Sequence, residues 1–218
     1  MERRVENHVI LGELPEAKTV TFTFDGEEVE AREGEMILIA SGASENVVRF
    51  DGWTKPGVMG AGAAQTMINV NRVLPGEKIL MIGSGNVGLI VSYQLMQAGA
   101  DVVALVEAAP KIGGYDVHAS KITRAGVPIL TRHTVFHALG DERVEGAIIG
   151  ELDDKWQLVP GTEQEVKCDT ICIGAGLKPL TELAMMYGCE QMFDPVPKIR
   201  EPYLSHTNTC QCQKQAIR

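Results

Sequence analysis

Lys78-Ile79-Leu80-Met81-Ile82-Gly83-Ser84-Gly85-Asn86-Val87-Gly88 is the stretch on which the reading of this chain turns. A short apolar run empties into three glycines at the spacing Gly-x-Gly-x-x-Gly. A helix-compatible segment over 87–98 follows, with Gly99 at its C-terminal cap position. Residues 102–107 are a second apolar run, ending in Glu107 nineteen residues after Gly88. The glycine pattern alone is weak evidence. Strand, glycine turn, helix and acid-ended strand in this order are what a dinucleotide-binding βαβ unit requires.

Each position then has a physical task. Gly83 permits the tight turn out of the strand, Gly85 lets the backbone approach a pyrophosphate without a Cβ in the way, and Gly88 lets the helix lie close to the strand. Ser84, Asn86 and Val87 fill the variable places. The N–H groups near Asn86 and Val87 present the positive end of the helix dipole to the phosphates. Glu107 is placed to accept hydrogen bonds from the ribose 2′- and 3′-hydroxyls and to repel a 2′-phosphate. Ala108, Ala109 and Pro110 bring no cation, and the next arginine is Arg124, so NAD is expected over NADP. FAD sites use the same loop and acid, and FAD stays open as a ligand of this site.

Around this unit, 218 residues with 44% apolar and 22% charged side chains suffice for a full core. Twenty-three glycines and 5% aromatics suit tight strand-to-helix turns better than a β-sandwich. The expected class is α/β, a Rossmann-like FAD/NAD(P)-binding domain with a parallel sheet. A formal charge of −9 leaves no basic excess to neutralise a phosphate backbone, so no nucleic acid partner is expected. No run approaches a membrane span and no apolar segment backs the basic start, so the simplest address is the cytoplasm. Cys168, Cys172, Cys189, Cys210 and Cys212 are odd in number and scattered, which favours reduced thiols. Cys210 and Cys212 have a spacing that soft metals accept, but no further ligands can be named and no metal site is assigned. The histidines show no ligand spacing and are read as structural.

Residues 19–24 alternate with period two, Asp25-Gly26 is a turn signal, and Val29 and Ala31 continue the alternation: a β-hairpin. Residues 36–40 read as a buried strand, 46–59 as a connection turning at Pro56-Gly57, and 61–73 as a helix stopped by Pro75-Gly76. Beyond Glu107 the pattern predicts a helix over 115–124 and a short strand over 127–130. A three-stranded antiparallel meander over 134–139, 143–149 and 156–159 follows. Residues 170–173 read as a buried strand ending at Gly174-Ala175-Gly176, 180–187 as a helix with Met185 and Met186 in the core, and the tail from Phe193 as irregular. The small segment 57–64 admits two readings: close approach by a nicotinamide or flavin, or tight helix packing.

Three segments in this order resemble the two-dinucleotide-fold flavoproteins, the pyridine nucleotide-disulfide oxidoreductase superfamily. Within it they are similar to the amine-oxidising branch of sarcosine oxidase α subunits, opine oxidase, dye-linked proline dehydrogenases and hydrogen cyanide synthase. The first is 36–43, with Ser41 where the family has threonine. The second is 78–107, and the third is 169–179, which resembles the strand and Gly-rich loop that close the NAD domain. The resemblance implies that Gly174, Ala175 and Gly176 join Gly83 to Gly88 and Glu107 as cofactor-binding positions, and it names no catalytic residue. It implies hydride transfer between NAD(H) and FAD in amine or amino-acid oxidation, with FAD in full-length relatives and supplied here by a partner subunit or flavin domain. Assembly as a homo-oligomer is also open. The alternative is a non-catalytic NAD(H)-binding module or subunit that works through a partner.

In that family a first glycine motif would precede the hairpin by roughly a hundred residues, and a Gly-Asp segment would follow Thr209. Neither is recognised, so a fragment is expected: 1–60 the remnant of a flavin-binding domain, 61–190 the NAD-binding domain, 191–218 an irregular tail. The disulfide-reductase branch is disfavoured, because no Cys-x-x-Cys or Cys-x4-Cys pair occurs.

Overall fold

The computed structural model describes residues 7–8, 12–13, 16–24, 26–33, 40–186, 191–194 and 199–202. In chain order the elements begin with β1 (Asn7–His8), β2 (Gly12–Glu13), β3 (Thr19–Phe24), β4 (Glu27–Arg32), β5 (Ala43–Glu45) and β6 (Val58–Gly60). Then come α1 (Ala61–Thr66), a π-helical turn (Met67–Asn71), β7 (Lys78–Ile82), α2 (Asn86–Gln97), β8 (Asp101–Glu107) and α3 (Asp116–Arg124). They are followed by β9 (Ile129–Thr131), β10 (His133–Leu139), β11 (Gly146–Glu151), β12 (Gln164–Val166), β13 (Thr170–Ile173) and β14 (Leu177–Pro179). The last are α4 (Glu182–Met186), β15 (Gln191–Asp194) and β16 (Ile199–Pro202). The chain divides into two compact units, residues 42–179 and residues 1–41 with 180–218.

The unit 42–179 is layered on a five-stranded parallel sheet of order β6-β13-β7-β8-β9. Alternation along β7 explains the layers. Ile79 and Met81 point to one face, where they pack with Leu89, Val91 and Leu95 of α2, Ala61 and Ala64 of α1 and Ile122 of α3. Leu80 and Ile82 point to the other, where Val135, Ala138, Ala147 and Ile149 of the antiparallel sheet β10-β11-β12 cover them. Ile79, Leu80 and Met81 are fully buried, and each such side chain contributes about 1.5–3 kcal/mol of burial free energy. On α2 the buried positions 88, 89, 91, 92 and 95 form one stripe, and Gly99 at φ +100° ends the helix.

In the other unit, β3 and β4 form the expected hairpin, with Gly26 at φ +80° in the turn. The strand expected over 36–40 falls on 36–39 outside the described residues, as do Cys189, Cys210 and Cys212.

Five expectations change. Part of the connection 46–59 is a strand: after Gly57 (φ +102°), Val58–Gly60 joins the sheet edge beside Ile171–Ile173. The helix over 61–73 is α-helical only to Thr66, runs as a π-turn to Asn71 and stops where Arg72 takes φ +57°. The third meander strand is Gln164–Val166 rather than 156–159, because Asp153 Oδ1 accepts the N–H groups of Lys155 and Gln157 and curls that segment into a turn. Met185 and Met186 are exposed. The tail holds two paired strands, β15 and β16. No helix among the described residues is long and apolar enough to cross a membrane.

Candidate functional site

The glycines of the βαβ turn divide into two kinds. Gly83 lies at φ +99°, and a Cβ there would strike the carbonyl oxygen of Gly174. A Cβ on Gly88 would run into the Gly83 carbonyl, and one on Gly174 would come within 3.2 Å of the Gly88 Cα. These three are glycines because β7, α2 and β13 meet there backbone to backbone. Gly85 is different. It has φ −66°, which any residue adopts, and a Cβ on it would meet nothing within 4 Å. No neighbour requires glycine at position 85, and the space it leaves open lies at the start of α2, which has no side-chain cap.

Glu107, at the end of β8, reaches back to this turn. Its Oε2 accepts the Ser84 N–H at 2.8 Å and the Ser84 Oγ–H at 2.6 Å, and its Oε1 accepts the Ala109 N–H at 2.9 Å. A carboxylate offers about four acceptor sites, so three are filled and one remains on Oε1. Ser84 is fully buried. Its Oγ accepts the Gly113 N–H at 3.2 Å and its carbonyl the Gly114 N–H at 2.9 Å, while Asn86 Oδ1 accepts the Tyr115 N–H at 2.8 Å. The segment after β8 is thereby folded back over the glycine turn. Val87, next on α2, is exposed.

A cavity of about 600 Å³ opens from this turn. It is lined by Gly83, Gly85, Glu107 and Ala108, and by Thr134 and Phe136 of β10 with Leu152 and Trp156 from the segment after β11. Gly174, Ala175 and Gly176 line it too, with Gly176 at φ +89° and its carbonyl accepting the Asn46 N–H. Arg49 brings a cation to the rim. The structure thus gathers Gly83, Gly85, Glu107, Gly174, Ala175 and Gly176 on one cavity, while Ser84 and Gly88 are buried in the same turn and helix and Asn86 and Val87 open that helix.

The small segment 57–64 is occupied from within the chain. Glu45 Oε1 accepts the Gly62 N–H at 2.7 Å; a Cβ on Gly60 would collide with Glu45 Oε2, and one on Gly62 would sit 3.2 Å from it. Of its two readings, tight packing describes this structure. Cys168 and Cys172 are buried, and burial pushes both thiols up to about 12, with Asp169 adding to the first and Glu45 to the second. His137 Nδ1 lies 2.6 Å from Asp51 Oδ2 on the surface, a structural pairing. Among the described residues no three His, Cys, Asp or Glu are grouped to hold a metal.

The sequence profile of the pyridine nucleotide-disulphide oxidoreductases matches residues 4–194. The chain belongs to that family. Among its relatives are the HcnB subunit of hydrogen cyanide synthase from Pseudomonas aeruginosa, 28% identical over 186 residues, and an opine oxidase subunit from Agrobacterium tumefaciens, 25% identical over 181 residues. Each alignment takes in 78% of this chain but only 40% and 36% of the relative's length. The alpha subunit of sarcosine oxidase from Rhizobium meliloti is 28% identical over 151 residues, 69% of this chain and 14% of its own. The chain therefore spans about 40% of the length of HcnB. Among solved structures, T. acidophilum thioredoxin reductase superposes with TM-score 0.60 at 16% identity, over 89% of this chain and 65% of its own. An NAD-dependent persulfide reductase from A. fulgidus gives 0.53 at 22% identity, over 82% and 32%. These two show the fold.

On this family fold, sequence reasoning left four site features unseen. The Glu107–Ser84 lock joins residues 23 apart through a side chain. Arg49 sits in a segment read as a mere connection. Arg132, in space rather than in sequence, adjoins the segment after Glu107: its N–H donates to the Ala109 carbonyl and its guanidinium pairs with Asp154 at 2.8 Å. Trp156 was expected in a strand.

Proposed function

We propose that this chain is the NAD(H)-binding part of a flavin-dependent oxidoreductase that passes hydride between nicotinamide and FAD in the oxidation of an amine or amino acid. The observation that carries the reading is the open Cβ side of Gly85 at the uncapped start of α2, in a cavity bounded by Glu107. A group that is anionic, accepts hydrogen bonds and needs close backbone approach fits there, and a pyrophosphate is such a group. When bound, nicotinamide supplies a hydride carrier, which no side chain offers.

The chain's residues bind and orient. The first N–H groups of α2, with the dipole behind them, face the phosphates, and Gly83, Gly88 and Gly174 set the curvature of the turn. Asn86 and Val87 open the helix, and Gly174, Ala175 and Gly176 continue the rim beyond β13. Glu107 has one acceptor site left for a ribose hydroxyl, and its charge disfavours a 2′-phosphate, so NADH is preferred to NADPH. The substrate class is drawn from the names of the opine and sarcosine oxidase relatives. FAD is assigned to a flavin domain or a partner subunit, since the relatives are named as subunits. Under the same reading, 1–60 is the end of a flavin-binding domain and 61–190 the NAD-binding domain.

Calorimetric titration of the chain with NADH and NADPH tests this. Saturable NADH binding, weaker NADPH binding, and loss of both in Gly85→Glu with an unchanged circular dichroism spectrum support it. No binding of either refutes it. NADH that binds yet fails to reduce flavin in the reconstituted complex would instead favour the non-catalytic module.

A further inference from the structure

The turn between β11 and β12 carries a conformation that its residue type does not favour. Trp156 adopts φ +63°, the left-handed region in which glycine or asparagine is at ease and a bulky side chain is an outlier. Four hydrogen bonds maintain it: Asp153 Oδ1 accepts the N–H groups of Lys155 and Gln157, the Asp153 carbonyl accepts that of Trp156, and the Gln157 carbonyl accepts that of Asp153. The neighbouring Asp154 is tied to Arg132 at 2.8 Å. All this holds an indole that is 61% exposed and lines the same cavity as Glu107 and Ala108. Core packing does not account for such an arrangement, because the side chain is mostly out of the core.

In a βαβ dinucleotide site the ribose sits at the acid that ends the second strand, and the base lies beyond it. Here the cavity that Glu107 and Ala108 line is also lined by Phe136, Leu152 and Trp156, two aromatic rings and an apolar side chain of the kind a purine face stacks on. We infer that Trp156 is a positioning residue, the aromatic wall on which the adenine of the bound nucleotide stacks. This rests on the dinucleotide reading of the cavity. The chemistry recognised is an adenosine diphosphate moiety, which NAD(H) and FAD share.

The test uses ADP-ribose, NADH and FAD with the full chain in a Trp53→Phe background, where Trp156 is the only tryptophan. Calorimetry and indole fluorescence are recorded on the same samples. Binding of ADP-ribose accompanied by quenching of Trp156 is expected. Trp156→Ala should weaken ADP-ribose and NADH on the order of tenfold, with Trp156→Phe restoring most of the affinity. Binding without quenching, or equal affinity in the alanine and phenylalanine variants, overturns the inference while leaving the dinucleotide site standing. Failure of all three ligands to bind, with or without Trp156, overturns both. FAD binding more tightly than NADH would keep the adenine wall and reassign the nucleotide.

Discussion

The carboxylate of Glu107 and the buried side chain of Ser84 form the bolt of the glycine turn. One carboxylate oxygen accepts both the backbone N–H and the hydroxyl of Ser84, at 2.8 and 2.6 Å, and the hydroxyl oxygen in turn accepts the N–H of Gly113. The acid that sequence reasoning reserved for a ribose thus also holds the strand-to-helix turn in shape. The proposed ribose contact would draw on the acceptor site that these bonds leave free on Oε1.

Glu107→Gln should therefore be harmful even though the shape is nearly kept. Three donors converge on the two carboxylate oxygens, and in glutamine one of those oxygens becomes an amide nitrogen that meets them donor to donor. Bonds to a charged acceptor are worth about 1.5–3 kcal/mol, so a loss of about 1–3 kcal/mol in urea unfolding is expected, together with weaker NADH binding. An unchanged urea midpoint would show that the bolt is dispensable.

Gly85 and Gly88 should separate binding from folding. Gly85→Ala places a methyl group in open space at an ordinary φ and should leave the urea midpoint unchanged or slightly raised. NADH affinity should nonetheless fall at least about tenfold, as the methyl occupies the approach to the phosphates. Gly88→Ala drives a methyl into the Gly83 carbonyl and should cost about 1–3 kcal/mol of stability. Equal stability loss in the two variants would contradict the division drawn between these glycines.

That division shows which parts of the site the sequence makes legible. Residues 78–82 and 170–173 are buried on both faces, so they read as continuous apolar runs, and their ends and glycines coincide with β7 and β13. Val58–Gly60 is three residues long and gains its identity only from Ile171, a partner far along the chain. Gln164–Val166 is a largely exposed edge strand without an apolar period, whereas 156–159 has β-forming residues that the Asp153 side chain overrules. Cavity walls such as Trp156 and Arg49 come together through tertiary folding, for which no local spacing exists.

The two buried thiols make stability depend on alkaline pH. In the fold, burial holds Cys168 and Cys172 protonated up to about 12, against 9.0 for an unperturbed thiol. Between these values the unfolded chain has released protons that the folded chain retains. Stability from these groups is thus fully present below pH 9 and declines as the pH rises toward 12. Urea midpoints at pH 8, 9.5 and 10.5 should fall more steeply for the native chain than for Cys172→Ala. Parallel slopes would remove Cys172 as a contributor.

Glu45 and Gly60 give the sharpest test of how the segment 57–64 is built. Glu45 donates no bond here; its Oε1 accepts the Gly62 N–H at 2.7 Å, and its Oε2 occupies the space that a Cβ on Gly60 would need. Gly60→Ala alone should push the flexible Glu45 carboxylate aside and cost about 1–3 kcal/mol through its lost bond to the Gly62 N–H, and Glu45→Ala alone should cost a similar amount through the same bond. In the double variant the methyl group on residue 60 enters the space the carboxylate has left, so the two losses should not add. A double-mutant cycle by urea unfolding should return a coupling of at least about 1 kcal/mol in the compensating direction. Additive losses would mean that residue 60 is glycine for a reason other than Glu45. The other reading of this segment, close approach by a nicotinamide or flavin, would then be favoured over packing, and NADH titration of Gly60→Ala would measure it directly.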